Sequence, residues 1–139
     1  MTKIRILIVD DDGTLSVLND RLNATSFFEA ETEIYGVEAV DHALRFRPDI
    51  IIVDYQLDKD RKDGGILTDG NVVIEDLKRD ADLQHVPVVR CSRWFTDTEN
   101  RLFEEENVHR SVFAIKCTVG GETELLAKIA HVFFTLSRK

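Results

Sequence analysis

The chain is short of cations: 18 Lys and Arg stand against 26 Asp and Glu, for a formal net charge of -8. Non-specific nucleic-acid binding depends on neutralising phosphates with Lys and Arg, so this balance argues against DNA or RNA as a direct partner. Long apolar runs are missing too. None approaches the roughly 18 consecutive apolar residues that a membrane span requires. Met1 to Arg5 lead straight into a strand-like run with no small-residue cleavage site, so neither a membrane partner nor a signal peptide is expected, and a cytoplasmic location is. Cysteine is scarce, with Cys91 and Cys117 the only two. In a cytoplasmic protein the plain expectation is two small, reduced core residues. Both follow strand-like runs, which leaves a regulatory disulfide open; a two-proton mass loss without reductant would reveal it. At 139 residues there is room for one domain, 1–139, and one core, with nothing over for an output module.

What is present is a regular alternation. The composition, 43% hydrophobic and 32% charged, is that of a globular protein. Apolar runs at Ile4 to Val9, Ala30 to Tyr35, Ile50 to Val53, Val86 to Cys91 and Val112 to Ile115 predict five strands. All but the second are near-continuous, as strands buried on both faces are; the second alternates and reads as an edge. Between them lie helical stripes. Leu15, Leu18 and Leu22 form one, Val37, Val40 and Leu44 another, and Val73, Ile74 and Leu77 a third, which Asp69 and Gly70 start. Thr96-Asp97-Thr98-Glu99 is a capping-box pattern opening a fourth helix that buries Leu102 and Phe103. A fifth carries Leu125, Leu126, Ile129, Val132, Phe133 and Leu136. This (βα)5 order predicts an α/β three-layer sandwich around a parallel five-stranded sheet, most commonly in the flavodoxin-like order 2-1-3-4-5.

In such a sheet ligands bind beyond the carboxyl ends of the strands. The first strand ends in Asp10 and Asp11, the third in Asp54, the fourth in Ser92 and the fifth in Lys116. Adjacent carboxylates repel one another unless protons or a cation neutralise them, and hard oxygen ligands suit Mg²⁺, Mn²⁺ or Ca²⁺. Three carboxylates, a hydroxyl and an ammonium around one crevice suit phosphoryl transfer onto a carboxylate. That chemistry is mostly positioning plus cationic neutralisation of equatorial oxygens. Asp54 is then the nucleophile, Ser92 a hydrogen-bond donor and Lys116 a point charge.

The segments IRILIVDDD, RPDIIIVDYQL, VPVVRCS and VFAIK resemble, across essentially the whole chain, the receiver domains of two-component response regulators. By position, the resemblance implies that Asp10 and Asp11 are the acidic pair and that Asp54 is phosphorylated by a sensor histidine kinase or phosphotransfer protein. The backbone carbonyl of Gln56 would join Asp10, Asp11 and Asp54 around Mg²⁺ (or Mn²⁺). Ser92 would be the switch hydroxyl, Phe113 the switch aromatic and Lys116 the family's lysine. Phosphorylation would then alter the face made by the fourth helix, fifth strand and fifth helix, which meets a downstream protein and is compatible with a homodimer. Asp12, with Gly13, is expected to start the first helix rather than bind metal.

Several positions depart from that pattern. Cys117 stands where the family commonly has a cis proline after the lysine; a cis bond before a non-proline residue costs about 2.5 to 4 kcal/mol, so a trans bond and a differently set lysine loop are open. After Asp54, LDKDRKDGGILTDG is longer by roughly eight residues than the usual loop. It reads either as a tolerated insertion or as a partner-specific lid over Asp54. Arg93 follows Ser92 where a small residue is usual, and a long cation there is expected to modulate the aspartyl-phosphate lifetime.

Two rivals stay open. Asp10-Asp11-Asp12-Gly13-Thr14-Leu15 fits the DxDGT motif of haloacid-dehalogenase-like phosphatases, with Asp10 as nucleophile, though a closing acidic pair is missing after Lys116 and Asp54 would have no role. The other is a degenerate receiver that binds a partner without being phosphorylated. On the receiver reading the chain is a signalling phosphoacceptor rather than an enzyme.

Overall fold

The computed structural model describes residues 3–11, 15–57, 69–93, 95–107, 111–116 and 122–137. Among them are five strands and five α-helices in strict alternation: β1 Ile4–Val9, α1 Ser16–Asn23, β2 Phe28–Glu33, α2 Ala39–Phe46, β3 Ile50–Asp54, α3 Gly70–Arg79, β4 Val88–Ser92, α4 Asp97–Glu106, β5 Val112–Lys116 and α5 Glu122–Ser137. The strands form one parallel sheet in the order β2-β1-β3-β4-β5. The expected flavodoxin-like topology is therefore present, with β2 at one edge and β5 at the other.

Successive side chains of a strand point to opposite faces, and a sheet covered on both sides must be apolar at every position. That is the character of β1 and β3. Ile6, Ile8, Ile50 and Ile52 pack with Leu15, Leu18 and Leu22 of the α1 region and Leu125, Ile129 and Val132 of α5. Their neighbours Leu7, Val9, Ile51 and Val53 pack on the other side with Ala39, Ala43 and Phe46 of α2 and Val73, Ile74 and Leu77 of α3. Two cores thus sandwich the central strands and hold their carboxyl ends in a fixed plane.

The differences from expectation concern edges and ends. Strand β2 begins at Phe28, not Ala30, and stops at Glu33, because pairing starts where Ile4 N–H donates to the Phe27 carbonyl at 2.8 Å. Alternation sets which face a residue takes, not where pairing stops. Val37 lies in a short 3₁₀ turn, Gly36–Glu38, and is 57% exposed; Val40 and Leu44 pack partly buried against the core as expected, beside the buried Ala39, Ala43 and Phe46. Leu102 is 44% exposed: α4 lies against the edge strand β5, and there Asn100 and Phe103 face inward instead. The capping box of α4 is formed as expected, Thr96 Oγ1 accepting from Glu99 N–H and Glu99 Oε1 from Thr96 N–H, both at 3.1 Å.

Candidate functional site

The end of β1 delivers Asp10 and Asp11 into a nearly closed environment, and both are buried. The end of β3 delivers Asp54, partly exposed. One carboxylate oxygen from each of Asp10, Asp11 and Asp54 lies within 4.8 Å of the others. The three carboxylates that sequence alone placed near one another are thus the ones the fold brings together. Asp10 Oδ2 also accepts from Leu15 N–H at 2.6 Å, which ties the carboxylate to the entry of α1. Asp54 Oδ1 accepts from Gln56 N–H at 3.2 Å, which orients Asp54 through the residue two positions on.

Helix α3 closes in behind Asp54. Gly70 N–H donates to the Tyr55 carbonyl at 2.8 Å, and Asp69 caps the helix by accepting from Val72 N–H at 3.1 Å. A Cβ on Gly70 would fall 2.7 Å from the Asp54 carbonyl oxygen and 2.8 Å from Tyr55 Cα. Only glycine lets the helix start so near the end of β3.

Ser92 is buried at the end of β4, in register with Lys116 on β5, which is exposed. Arg93 is exposed. Phe113 is half-buried against the α5-side core, with Lys128 Nζ 5.6 Å from its ring centroid. Asp12, Gly13, residues 58–68 of the 58–69 insertion, Cys117 and hence the Lys116-Cys117 bond lie outside the described residues.

Three features were missed from sequence. Glu104 of α4 accepts from the β5 backbone at Ala114 N–H (2.7 Å) and from Lys128 of α5 (2.8 Å), so one carboxylate joins the three elements of the face ascribed to output. An acid and a lysine on two exposed helix surfaces carry no sequence signal of meeting. Arg90 is buried inside the otherwise apolar β4; a cation interrupting VPVVRCS was the signal that could have found it. Cys91 corrects the plain expectation of a reduced core thiol: it is buried and disulfide-bonded, the alternative that the sequence had left open.

Oxygen ligands at this spacing suit a hard divalent cation, and among the described residues the Asp10, Asp11 and Asp54 group has that geometry. Likeness to known proteins follows the same lines. No family model matches the chain. The polar-differentiation response regulator DivK of Brucella ovis is 30% identical over 89 residues, which is 64% of this chain and 65% of that protein; DivK of Brucella anthropi matches to the same extent. The aligned part is thus just under two thirds of these relatives' length. Among solved structures, the response regulator domain of Thermotoga maritima CheB superposes with a TM-score of 0.72 at 20% identity, covering 94% of this chain and 96% of that one. A response regulator from Desulfuromonas acetoxidans gives 0.70 at 22% identity, covering 96% and 98%. These structures share the fold, and DivK shares sequence as well. In fold and in sequence, the chain resembles the receiver domains of two-component response regulators.

Proposed function

We propose that the chain is a phosphoacceptor receiver in a two-component phosphorelay, with Asp54 as the residue that takes the phosphoryl group. The observation that carries this reading is the convergence of Asp10, Asp11 and Asp54 at the ends of β1 and β3. Asp10, Asp11, Asp54 and the Gln56 carbonyl would hold Mg²⁺ or Mn²⁺, which when bound supplies the positive charge that offsets the phosphoryl oxygens. An Asp54 carboxylate oxygen attacks phosphorus of a phosphohistidine on a histidine kinase or phosphotransfer protein. The phosphorus–nitrogen bond breaks, its electron pair stays on the imidazole, and an acyl phosphate remains on Asp54. Ser92 donates its hydroxyl to a phosphoryl oxygen and Lys116 brings its ammonium to another. Arg93, exposed beside Ser92, modulates how fast water reaches the acyl phosphate.

The readout is the α4, β5 and α5 face, where Phe113 follows Ser92 and Glu104 and Lys128 hold the three elements together. A downstream protein or a second copy of the chain would meet this face, and a cytoplasmic setting suits a chain whose described residues include no helix long and apolar enough to cross a membrane.

One experiment tests the reading. The protein is incubated with Mg²⁺ and phosphoramidate or beryllofluoride, beside Asp54→Asn and Asp10→Asn variants. Acid-stable label from phosphoramidate, or beryllofluoride binding, that is lost with Asp54→Asn supports the receiver. Turnover of a phosphomonoester that is lost with Asp10→Asn points to a phosphatase, and no reaction at all points to a phosphorylation-independent binding module.

A further inference from the structure

Arg90 is 2% exposed, yet among the described residues its hydrogen-bond partners are amide oxygens rather than carboxylates: Asn71 Oδ1 at 3.1 Å and Asn100 Oδ1 at 3.2 Å. Its guanidinium carbon lies 3.6 Å from the ring centroid of Phe103, 4.1 Å from Phe95 and 5.7 Å from Tyr55, and Tyr55 and Phe95 meet edge to face at 4.9 Å. Burial pushes the guanidinium below its ordinary pKa, against the opposing pull of Tyr55, Asp69 and Glu99.

A leucine or methionine would fill this strand position without the desolvation that a buried cation suffers. The groups that compensate the cation sit on separate segments. Tyr55 directly follows Asp54; Asn71 is in the first turn of α3; Phe95 lies in the connection after Ser92; Asn100 and Phe103 are on α4. Arg90 itself is two residues before Ser92. Cation–aromatic attraction is strong where water is excluded, and it is directional enough to hold such segments in one arrangement. The arrangement is also incomplete. Among the described residues, Arg90 Nε and Asn100 Nδ2 are buried donors with no acceptor, so a shift of α4 that supplies acceptors would gain hydrogen bonds. Buried unsatisfied donors are a reservoir on which a second conformation can draw.

We propose that Arg90 is a positioning residue for the switch: it clamps Phe95 and the start of α4 to Tyr55 behind the acceptor, so that a change at Asp54 reaches α4 through a shared cation. This role rests on the receiver function proposed above.

The test loads wild type, Arg90→Met and Phe95→Leu with Mg²⁺ and beryllofluoride. Uptake is followed by the fluorescence of Trp94, the chain's single tryptophan. Amide hydrogen exchange of residues 95–106 is measured with and without loading. Wild type is expected to change exchange there at least fivefold on loading. Arg90→Met keeps beryllofluoride affinity within about threefold, since Asp10, Asp11 and Asp54 are intact, while its change in 95–106 drops below twofold. Phe95→Leu moves the same way and decides the matter by the same criterion if Arg90→Met does not fold. Normal uptake with an undiminished α4 response in a folded variant overturns the clamp alone. A wild-type protein that takes up no beryllofluoride overturns the receiver reading and the clamp together.

Discussion

Removing the charge of Asp54 should stabilise the protein whenever divalent cations are absent. Each pair among Asp10, Asp11 and Asp54 offers carboxylate oxygens within 4.8 Å. At an effective dielectric constant of about 20, such a pair repels by about 3.5 kcal/mol. Asp54 is partly exposed, and water and salt screen it, which lowers the useful figure to about 1 kcal/mol per pair. Asp54→Asn relieves two pairs and keeps an oxygen for the Gln56 N–H. The net gain is then about 2 kcal/mol, or about 6 °C in Tm for a domain of this size. The assay is thermal and urea denaturation in chelator at low ionic strength, repeated with Mg²⁺. A cation that binds the native state at ten times its dissociation constant adds about 1.4 kcal/mol. It adds this to wild type and far less to the variant, so Mg²⁺ should close most of the gap. An Asp54→Asn protein no more stable than wild type in chelator would refute the reasoning, as would a gap that saturating Mg²⁺ leaves unchanged.

Gly70→Ala should cost about 1 to 3 kcal/mol, because the new methyl meets backbone at Asp54 and Tyr55 rather than a movable side chain; urea unfolding measures it, and full stability would mean that α3 can stand off from β3. Lys78 is buried, with its ammonium donating to the Gln84 and Val86 carbonyls at 3.0 and 2.6 Å, and desolvation lowers its pKa from 10.5 to about 8. Between those values the unfolded chain binds the extra proton, so this group's contribution to stability rises with pH from about 8 to 10.5 and its full cost is present below 8. Wild type should therefore gain about 3 kcal/mol relative to Lys78→Met across that window, and parallel stability–pH curves for the two would count against the assignment. Thr96→Ala removes the side-chain half of the α4 capping box, the Thr96 Oγ1 acceptor of Glu99 N–H, and should cost about 1 kcal/mol, read as faster amide exchange in the first turn of α4 with little change elsewhere.

Much of the architecture was legible because it rests on local chemistry. The continuous apolar runs of β1 and β3 report strands covered on both faces, and Thr96 with Glu99 announces the start of α4. Asp10, Asp11 and Asp54 could be assigned to one crevice because a parallel sheet leaves the carboxyl ends of its strands side by side. Less legible were the ends and margins. Leu102 and Val37 have apolar letters at helical spacing, but a helix over an edge strand and a one-turn 3₁₀ segment have less surface to cover.

The sequence by itself determined the alternation, the strand order and the acids at the strand ends, since periodicity and the handedness of crossovers leave few alternatives. Only the tertiary structure decided what Arg90 and Glu104 do and that Cys91 is bonded. The groups that meet Arg90 and Glu104, among them Tyr55, Phe95, Phe103, Ala114 and Lys128, lie on other segments. Whether a buried cation is tolerated depends on which groups from distant segments meet it after packing, and no local pattern records that.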